Sequence, residues 1–226
     1  MRRRTFSLCL AISLLLSLSG RAEEASPSGR AEEASPFFRG VSVSADVFGW
    51  IYPIFVSDAF YNNEVSVAVN LQDRFFPVVE VGYGHCNTVG DLYGIRYTTA
   101  APYYRVGMDF NLQYKKQSPV GFIFCGARVG YSNSTYDVAA SPLTDPVTGA
   151  VTPFILDDIP CHALWGEALV GIRSRVWKGF SLGWSIRYKR LFSNCTSANG
   201  NPWFIPGYGI HGKETFGATY QLIWNF

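Results

Sequence analysis

The feature that most constrains the fold is a strict two-residue alternation of apolar and polar side chains. In residues 104–115, Tyr, Val, Met, Phe, Leu and Tyr alternate with Arg, Gly, Asp, Asn, Gln and Lys. Because successive side chains of a β-strand point to opposite faces, this segment has one apolar and one polar face. The alternation recurs after Pro36, where helical periodicity is not convincing, and predicts an all-β protein with strands over residues 38–50, 64–71, 75–85, 102–115, 120–132, 161–176, 180–192 and 214–226.

The connections between these predicted strands alternate in length. Those after the second, fourth and sixth strands are tight (QDR, KQSP and WKG), whereas the others are long and rich in Asn, Ser, Thr, Gly and Pro. Outer-membrane barrels have this pattern of short periplasmic turns and long external loops. Strands can cross hydrocarbon only as a closed barrel. The sequence therefore predicts an eight-stranded antiparallel transmembrane up-and-down β-barrel with a polar, largely packed lumen.

A soluble ligand-binding barrel of lipocalin type, with its apolar faces inward, is the competing fold. Charged residues make up only 16% of the chain, against about 25% in ordinary soluble domains. The competing fold would carry these charges outside and would often have a flanking helix. The long loops at one end and the aromatic last strand favour the membrane barrel.

The N-terminal region is predicted to lie outside the barrel. Residues 1–22 have the basic start, short apolar run and small final residues of a signal peptide, cleaved near Ala22. Residues 23–37 form a flexible leader, since the nonapeptide SGRAEEASP occurs at 19–27 and again at 28–36 and is too polar to build a core. The barrel takes residues 38–226, and its predicted location is the outer membrane.

The last strand carries a distinct pattern. Tyr220, Leu222, Trp224 and Phe226 share one face, and this ending resembles the C-terminal signature that the barrel-assembly machinery recognises in Gram-negative outer-membrane barrels. The segments DVFGW, FPVVEVGYG, APYYRVGMDFNL, LGWSIRYKRLF and IPGYG further resemble an uncharacterised Bacteroidetes family of small outer-membrane barrels, over roughly residues 41–226. This resemblance implies a fold and a location but no chemistry.

The polar faces predict an ionic network inside the barrel. An eight-stranded barrel is just wide enough for side chains to fill it, and a hairpin centred on Lys178 would place Glu167 opposite Lys189 and Arg175 opposite Ser181. We expect these charges to fill and stabilise the lumen, and a proton or solute path is the alternative. The predicted network is Asp46, Glu80, Arg105, Asp109, Arg128, Glu167, Arg173, Arg175, Arg187 and Lys189.

Four cysteines remain after removal of the signal. The hairpin register brings Cys161 and Cys195 together near the external rim, where an oxidising compartment permits a disulfide. We interpret Cys125 as a small hydrophobic residue on the lipid face. Cys86 is predicted to lie at the rim, where its thiol could be free. His85 and His162 adjoin cysteines, but neighbouring strand residues face opposite ways, so no metal site and no cofactor are predicted.

The leading functional prediction is a structural or interaction barrel whose external loops engage an envelope partner or surface ligand. A small-solute channel or solute-binding barrel is the alternative, with residues 143–159 and 193–211 as its ligand surface. Ser193, His162 and Asp157 or Asp158 could be nominated for a lipid-modifying enzyme, but no motif selects them, so no enzyme is predicted. The predicted partners are outer-membrane lipid, the barrel-assembly machinery and an envelope protein; the near-neutral charge excludes nucleic acid.

Overall fold

The computed structural model describes residues 37–55, 59–90, 94–116, 120–144, 147–193 and 201–226. The predicted signal, residues 1–22, and residues 23–36 of the predicted leader lie outside this part of the chain. The elements are β1 (Phe38–Asp46), α1 (Phe48–Phe55), β2 (Phe60–Leu71), β3 (Phe75–Val89), β4 (Arg96–Asn111), β5 (Gly121–Thr144), β6 (Val151–Trp177), β7 (Phe180–Ser193), β8 (Phe204–Ile205), β9 (Gly209–Ile210) and β10 (Glu214–Asn225).

Eight of these strands close into a ring. The hydrogen-bonded order is β1-β10-β7-β6-β5-β4-β3-β2, with antiparallel neighbours throughout, while β8 and β9 form a separate two-stranded hairpin. The predicted eight-stranded antiparallel up-and-down barrel is therefore confirmed. We call the end with the connections 72–74, 112–120 and 178–179 the turn-side mouth, and the opposite end the loop-side mouth.

Burial in the barrel is inverted relative to a soluble protein. Val79, Val106 and Val129 lie side by side on adjacent strands and are 54%, 58% and 50% exposed. Their sequence neighbours Glu80 and Arg105 face the interior and are only 1% and 4% exposed. Apolar side chains outside and charged side chains inside are the arrangement of a barrel surrounded by hydrocarbon.

The C-terminus completes the closure. Val41 N donates to Phe226 O (3.2 Å) and Phe226 N donates to Val41 O (2.8 Å), so the final residue extends the pairing of β10 with β1. Trp224 and Phe226 are exposed on the outer face, and the Trp224 ring packs edge-on against Phe180. Tyr220 and Leu222, from the same predicted face, are half-buried. Their recognition during insertion stays a prediction.

The predicted register of the β6–β7 hairpin is confirmed. Glu167 pairs with Lys189 and Arg175 pairs with Ser181. The turn residues are Lys178 and Gly179, and Gly179 has a φ of +77°, which the compact hairpin requires and glycine adopts without steric cost.

The predicted first strand is wrong beyond residue 46, where the chain turns into the helix α1. Asp46 Oδ1 accepts hydrogen bonds from Phe48 N (3.0 Å) and Tyr220 N (3.1 Å), so this carboxylate both caps the helix start and anchors it to β10. Gly49 lies against β2, where a Cβ atom would stand 1.7 Å from Asn62 O. Within the described ranges, no helix is long and apolar enough to cross a bilayer.

The β5–β6 hairpin is much longer than predicted. The two strands run to Thr144 and from Val151, so most of residues 143–159, predicted as a loop, belongs to a ladder that projects past the loop-side mouth. The base of this extension is not solvated on both faces, because Tyr136 and Ile159 are buried in the same cluster. Apolar support at the base allows the pairing to continue beyond the barrel.

Candidate functional site

The lumen has three layers from the loop-side mouth to the turn-side mouth. Protein groups fill the first two, and the third contains a cavity. The loop-side layer, named here the plug, is the inward-folded segment 202–211 with its β8–β9 hairpin. The middle layer, the ionic core, consists of charged side chains from β2 to β7. The turn-side layer, the vestibule, is a cavity of about 350 Å³ at the turn-side mouth.

Glu80 on β3 is the centre of the ionic core. Its two carboxylate oxygens contact three guanidinium groups: Arg105 at 2.9 Å, Arg128 at 3.1 Å and Arg187 at 2.8 Å. These arginines come from β4, β5 and β7, so a single carboxylate ties together strands from opposite sides of the ring. A buried charge is tolerated only when it is paired and hydrogen-bonded. Glu80 has three guanidinium partners that meet this condition.

Two further glutamates bridge the same arginines. Glu64 contacts Arg105 at 2.8 Å and Arg187 at 3.3 Å, and Glu167 contacts them at 3.2 and 3.3 Å. Trp165 Nε1 also donates to Glu167 Oε1 (2.7 Å). The ionic core thus spans the lumen as one connected network.

The formal charges of the ionic core balance. Asp109 joins the network through Arg128, whose NH2 lies 2.8 Å from Asp109 Oδ1. The four carboxylates match four cations, and all eight residues are buried: Glu64, Glu80, Asp109 and Glu167 against Arg105, Arg128, Arg187 and Lys189.

The structure places most of the predicted lumen residues inside. Asp46, Glu80, Arg105, Asp109, Arg128, Glu167, Arg187 and Lys189 are buried. Arg173 is half-buried in the vestibule, and Arg175 lines the same cavity but is exposed at the turn-side mouth and takes no part in the ionic core. Glu64 was not predicted, although its alternation with Val65 and Val67 places it on the inner face of β2.

The plug occupies the loop-side half of the lumen, beside a cavity of about 250 Å³ whose lining includes Glu64, Arg105 and Arg187. Phe204, Ile205 and Tyr208 are almost completely buried, and they pack in one cluster with Tyr97 and Trp165 of the barrel wall. This segment was predicted as part of an external ligand surface, and its position inside the barrel corrects that prediction. The physical reason is the apolar sequence WFIPGYGI, because moving its apolar surface out of water into the barrel is favourable.

Hydrogen bonds fix the backbone of the plug. Lys189 Nζ donates to the carbonyl oxygens of Gly207 (2.7 Å) and Tyr208 (3.1 Å), although Glu167 is its partner in the strand register. Tyr97 OH donates to Phe204 O (2.8 Å). The ionic core and the plug therefore share Lys189 and form one continuous filling.

Gly207 is required at the contact between the plug and the wall. Its φ is +79°, and an added Cβ would stand 2.4 Å from the Tyr103 ring. Tyr103 OH donates to Glu64 Oε2 (3.1 Å), so the ring cannot swing away without losing a bond to the ionic core.

The vestibule is polar, with two arginines at its wall. The Arg173 guanidinium carbon lies 5.2 Å from the Phe76 ring centre and 5.6 Å from that of Phe122, which are cation–π distances. Arg175, from the same strand, lines the cavity nearer the opening.

The cysteines have different states. Cys161 is disulfide-bonded, while Cys86 is free and fully buried and Cys125 is free and half-buried. Cys195, the predicted partner, lies outside the described residues. The β6–β7 register shifts by one residue between Leu164 and Trp165, so the predicted hairpin register does not extend to Cys161.

The rim residues considered for metal or enzymatic chemistry are dispersed in the ladders. His85 stacks on Tyr61, His162 pairs with Asn133 in the β5–β6 register, and Ser193 pairs with Leu164. Among the residues that the structure describes, no three His, Cys, Asp or Glu side chains could hold a metal ion together.

Solved structures with a similar fold include two bacterial proteins. Ail, the attachment invasion locus protein of Yersinia pestis, in complex with the heparin analogue sucrose octasulfate, is 7% identical with a TM-score of 0.39, and the match covers 82% of this chain and 93% of that chain. Neisserial surface protein A (NspA) is 12% identical with a TM-score of 0.38, covering 84% and 99% respectively.

No curated protein sequence matches this chain. A family model described as "Domain of unknown function (DUF6048)" matches residues 1–225. The Bacteroidetes origin that the sequence resemblance implies stays a prediction. Since this match takes in both the barrel and the segment before it, the chain belongs to the DUF6048 family.

Proposed function

We propose that this protein is an integral outer-membrane barrel that conducts no solute and acts as a rigid support for an external interaction surface. The observation that carries the proposal is the inverted burial, with valines outside and ion-paired charges inside. In water this arrangement would expose the apolar surface that folding normally buries. In lipid it places each group in its favourable surroundings.

The dimensions of the apolar face fit a bilayer. The outer-face residues Tyr104, Val106, Met108 and Phe110 of β4, with Leu112 just after the strand, cover eight residue steps, or about 26 Å at about 3.3 Å per residue. A strand tilt of about 40° reduces this to about 20 Å of membrane depth, close to the apolar band of about 25 Å in such barrels. Tyr83, Tyr104 and Tyr131 on the loop side, with Trp177 and Trp224 on the turn side, stand where aromatic girdles are expected.

The filled lumen argues against conduction. A solute would have to displace the plug at the loop side and then break the network around Glu80, where three guanidinium contacts lie within 3.1 Å. A solute-binding barrel remains the second candidate, because the vestibule alone offers about 350 Å³ at the turn-side mouth. A catalytic role is not part of the proposal.

The external surface in this proposal is the end of the β5–β6 hairpin. Val147 is 89% exposed there, and Val151, Phe154 and Ile155 on β6 are exposed as well. Apolar side chains beyond the membrane have no lipid to cover them, and exposed apolar groups of this kind are typical of protein contact sites. An envelope protein or another surface molecule is the expected partner. Outer-membrane lipid contacts the wall, and the assembly machinery would read Tyr220, Leu222, Trp224 and Phe226.

Cysteine labelling of intact cells tests both the location and the orientation. Val147→Cys at the hairpin end should react with a maleimide that cannot cross membranes, whereas Lys178→Cys at the β6–β7 turn should react only after the envelope is opened. The unsubstituted protein is the control, because it already carries the free thiols of Cys86 and Cys125. Equal labelling of both variants in intact cells would contradict the proposed orientation.

Conductance in planar bilayers tests the closed lumen. The purified protein should insert without unitary current steps. Regular steps from the unaltered protein would favour the solute channel instead.

A further inference from the structure

The two arginines of the vestibule have unused hydrogen-bond donors. Arg173 Nε is buried and has no hydrogen-bond partner, although the guanidinium group lies over the Phe76 and Phe122 rings. The side chain of Arg175 has no hydrogen bond or ion pair in this part of the chain. Asp109, whose charge also acts on Arg173, is 2.8 Å from Arg128 NH2. A guanidinium group carries five donors in a planar fork that fits a carboxylate.

Three asparagines around the vestibule donate hydrogen bonds within the barrel. Asn70 Nδ2 donates to Asp73 Oδ1 (2.6 Å), Asn111 Nδ2 donates to Asp73 O (2.8 Å) and Asn225 Nδ2 donates to Ser181 Oγ (3.0 Å). Asp73, the carboxylate that lines the cavity, forms an ion pair with Arg39. The charge available to a ligand of the cavity is therefore positive and belongs to the two arginines.

We propose that the vestibule is the docking site of the chain's own leader, residues 23–36, through the carboxylates of Glu32 and Glu33. The proposal gives a role to the duplicated nonapeptide, whose composition is otherwise unexplained. The leader contains four glutamates and one arginine. Its formal charge of −3 complements the two arginines of the vestibule.

The leader joins the barrel beside this cavity. Gln72 N donates to Phe37 O (3.0 Å), which fixes the first described residue against the turn that bears Asp73, a vestibule residue. Glu33 and Glu32 lie four and five residues before Phe37. An extended chain covers about 3.3 Å per residue, so their carboxylates can reach about 13 to 17 Å from Phe37.

The short tether makes even a weak contact effective. A segment joined by a short linker experiences a local concentration in the millimolar range. A contact with millimolar affinity in a free peptide would thus be occupied for much of the time within the chain. The second glutamate pair, Glu23 and Glu24, supplies a further copy of the same ligand at longer reach.

Limited trypsin digestion of the purified mature protein in detergent tests the docking. Cleavage after Arg30 is followed by mass, and its rate reports the fraction of time for which the leader is released. We expect Arg175→Gln, and separately Glu32→Gln with Glu33→Gln, to accelerate this cleavage about tenfold, which corresponds to about 1.4 kcal/mol. Arg175 is exposed, so its substitution leaves the barrel folded.

Lys178→Gln is the matched control, because Lys178 lies on the β6–β7 turn at the same mouth but does not line the vestibule. This variant should be cleaved at the wild-type rate. Equal rates of cleavage after Arg30 in the wild type, the two test variants and the control would overturn the proposal. So would equal acceleration by Lys178→Gln and Arg175→Gln, because the effect would then be general electrostatic attraction.

Discussion

Replacing Glu80 by glutamine should cause a large loss of stability, because this residue is the shared partner of three buried arginines. The substitution keeps the size of the side chain and removes one negative charge. Arg105, Arg128 and Arg187 would then share the remaining carboxylates, and the ionic core would carry an uncompensated positive charge. All four side chains are at most 3% exposed, so water cannot replace the lost partner.

The expected cost follows from this burial. Removing one partner of a buried ion pair typically costs about 3–5 kcal/mol, because the other charge is left unpaired. Three contacts within 3.1 Å place Glu80 at the upper end of this range. With a urea dependence of about 2 kcal/mol per molar, the unfolding midpoint would fall by about 2.5 M.

Urea unfolding in lipid vesicles measures this change. Glu214→Gln is the matched control, since Glu214 is exposed at the start of β10 and its substitution should stay within about 0.5 kcal/mol. A loss below about 1 kcal/mol for Glu80→Gln, with an unchanged urea dependence, would refute the reasoning. The lumen would then contain enough water to solvate the arginines.

Three other predictions address the outer face, the plug and the disulfide. Val106→Arg should cost about 2–4 kcal/mol in vesicles because it places a cation at mid-membrane, whereas Val147→Arg should be nearly neutral; equal effects would contradict the assigned faces. Gly207→Ala should displace the plug but leave the ionic core closed, so planar bilayers should still show no current steps, and regular steps would show that the plug alone closes the lumen. Peptide mapping of the oxidised protein should link Cys161 to Cys195, and a link from Cys161 to any other cysteine would contradict the pairing.

The barrel could be predicted because alternation is a local signal. Each strand carries its own apolar and polar faces, so periodicity reveals it without knowledge of its neighbours. The short WKG connection also fixed the β6–β7 register and thereby the pairing of Glu167 with Lys189. Strand position and register are both encoded in the local sequence of this hairpin.

The features that sequence reasoning missed depend on distant contacts. Residues 48–50, the start of α1, were predicted as the end of the first strand, but Asp46 binds both Phe48 and Tyr220 and ends β1 early. The plug resembles an external loop until its contacts with Tyr97, Trp165 and Lys189 are known. Tyr220 lies far from α1 in the sequence, and Tyr97, Trp165 and Lys189 each lie more than ten residues from the plug.

Two charged residues show that the alternation of a strand predicts which face a side chain occupies but not its depth in the barrel. Arg175 has the alternation of a lumen residue, yet it lies past the last packed layer and is exposed, because parity fixes the face and not the depth. Glu64 stands near the predicted start of its strand, whereas β2 begins at Phe60 and holds Glu64 inside beside Arg105. Depth depends on strand ends and tilt, which the alternation alone does not give.

The central claim is that the apolar outer face is embedded in the outer membrane around a closed barrel. The most direct measurement is fractionation of cell envelopes followed by gel electrophoresis of unheated and boiled samples. We expect a band in the outer-membrane fraction that migrates faster before boiling than after, because the closed barrel stays folded in detergent. A soluble periplasmic protein whose mobility is unchanged by boiling would contradict it.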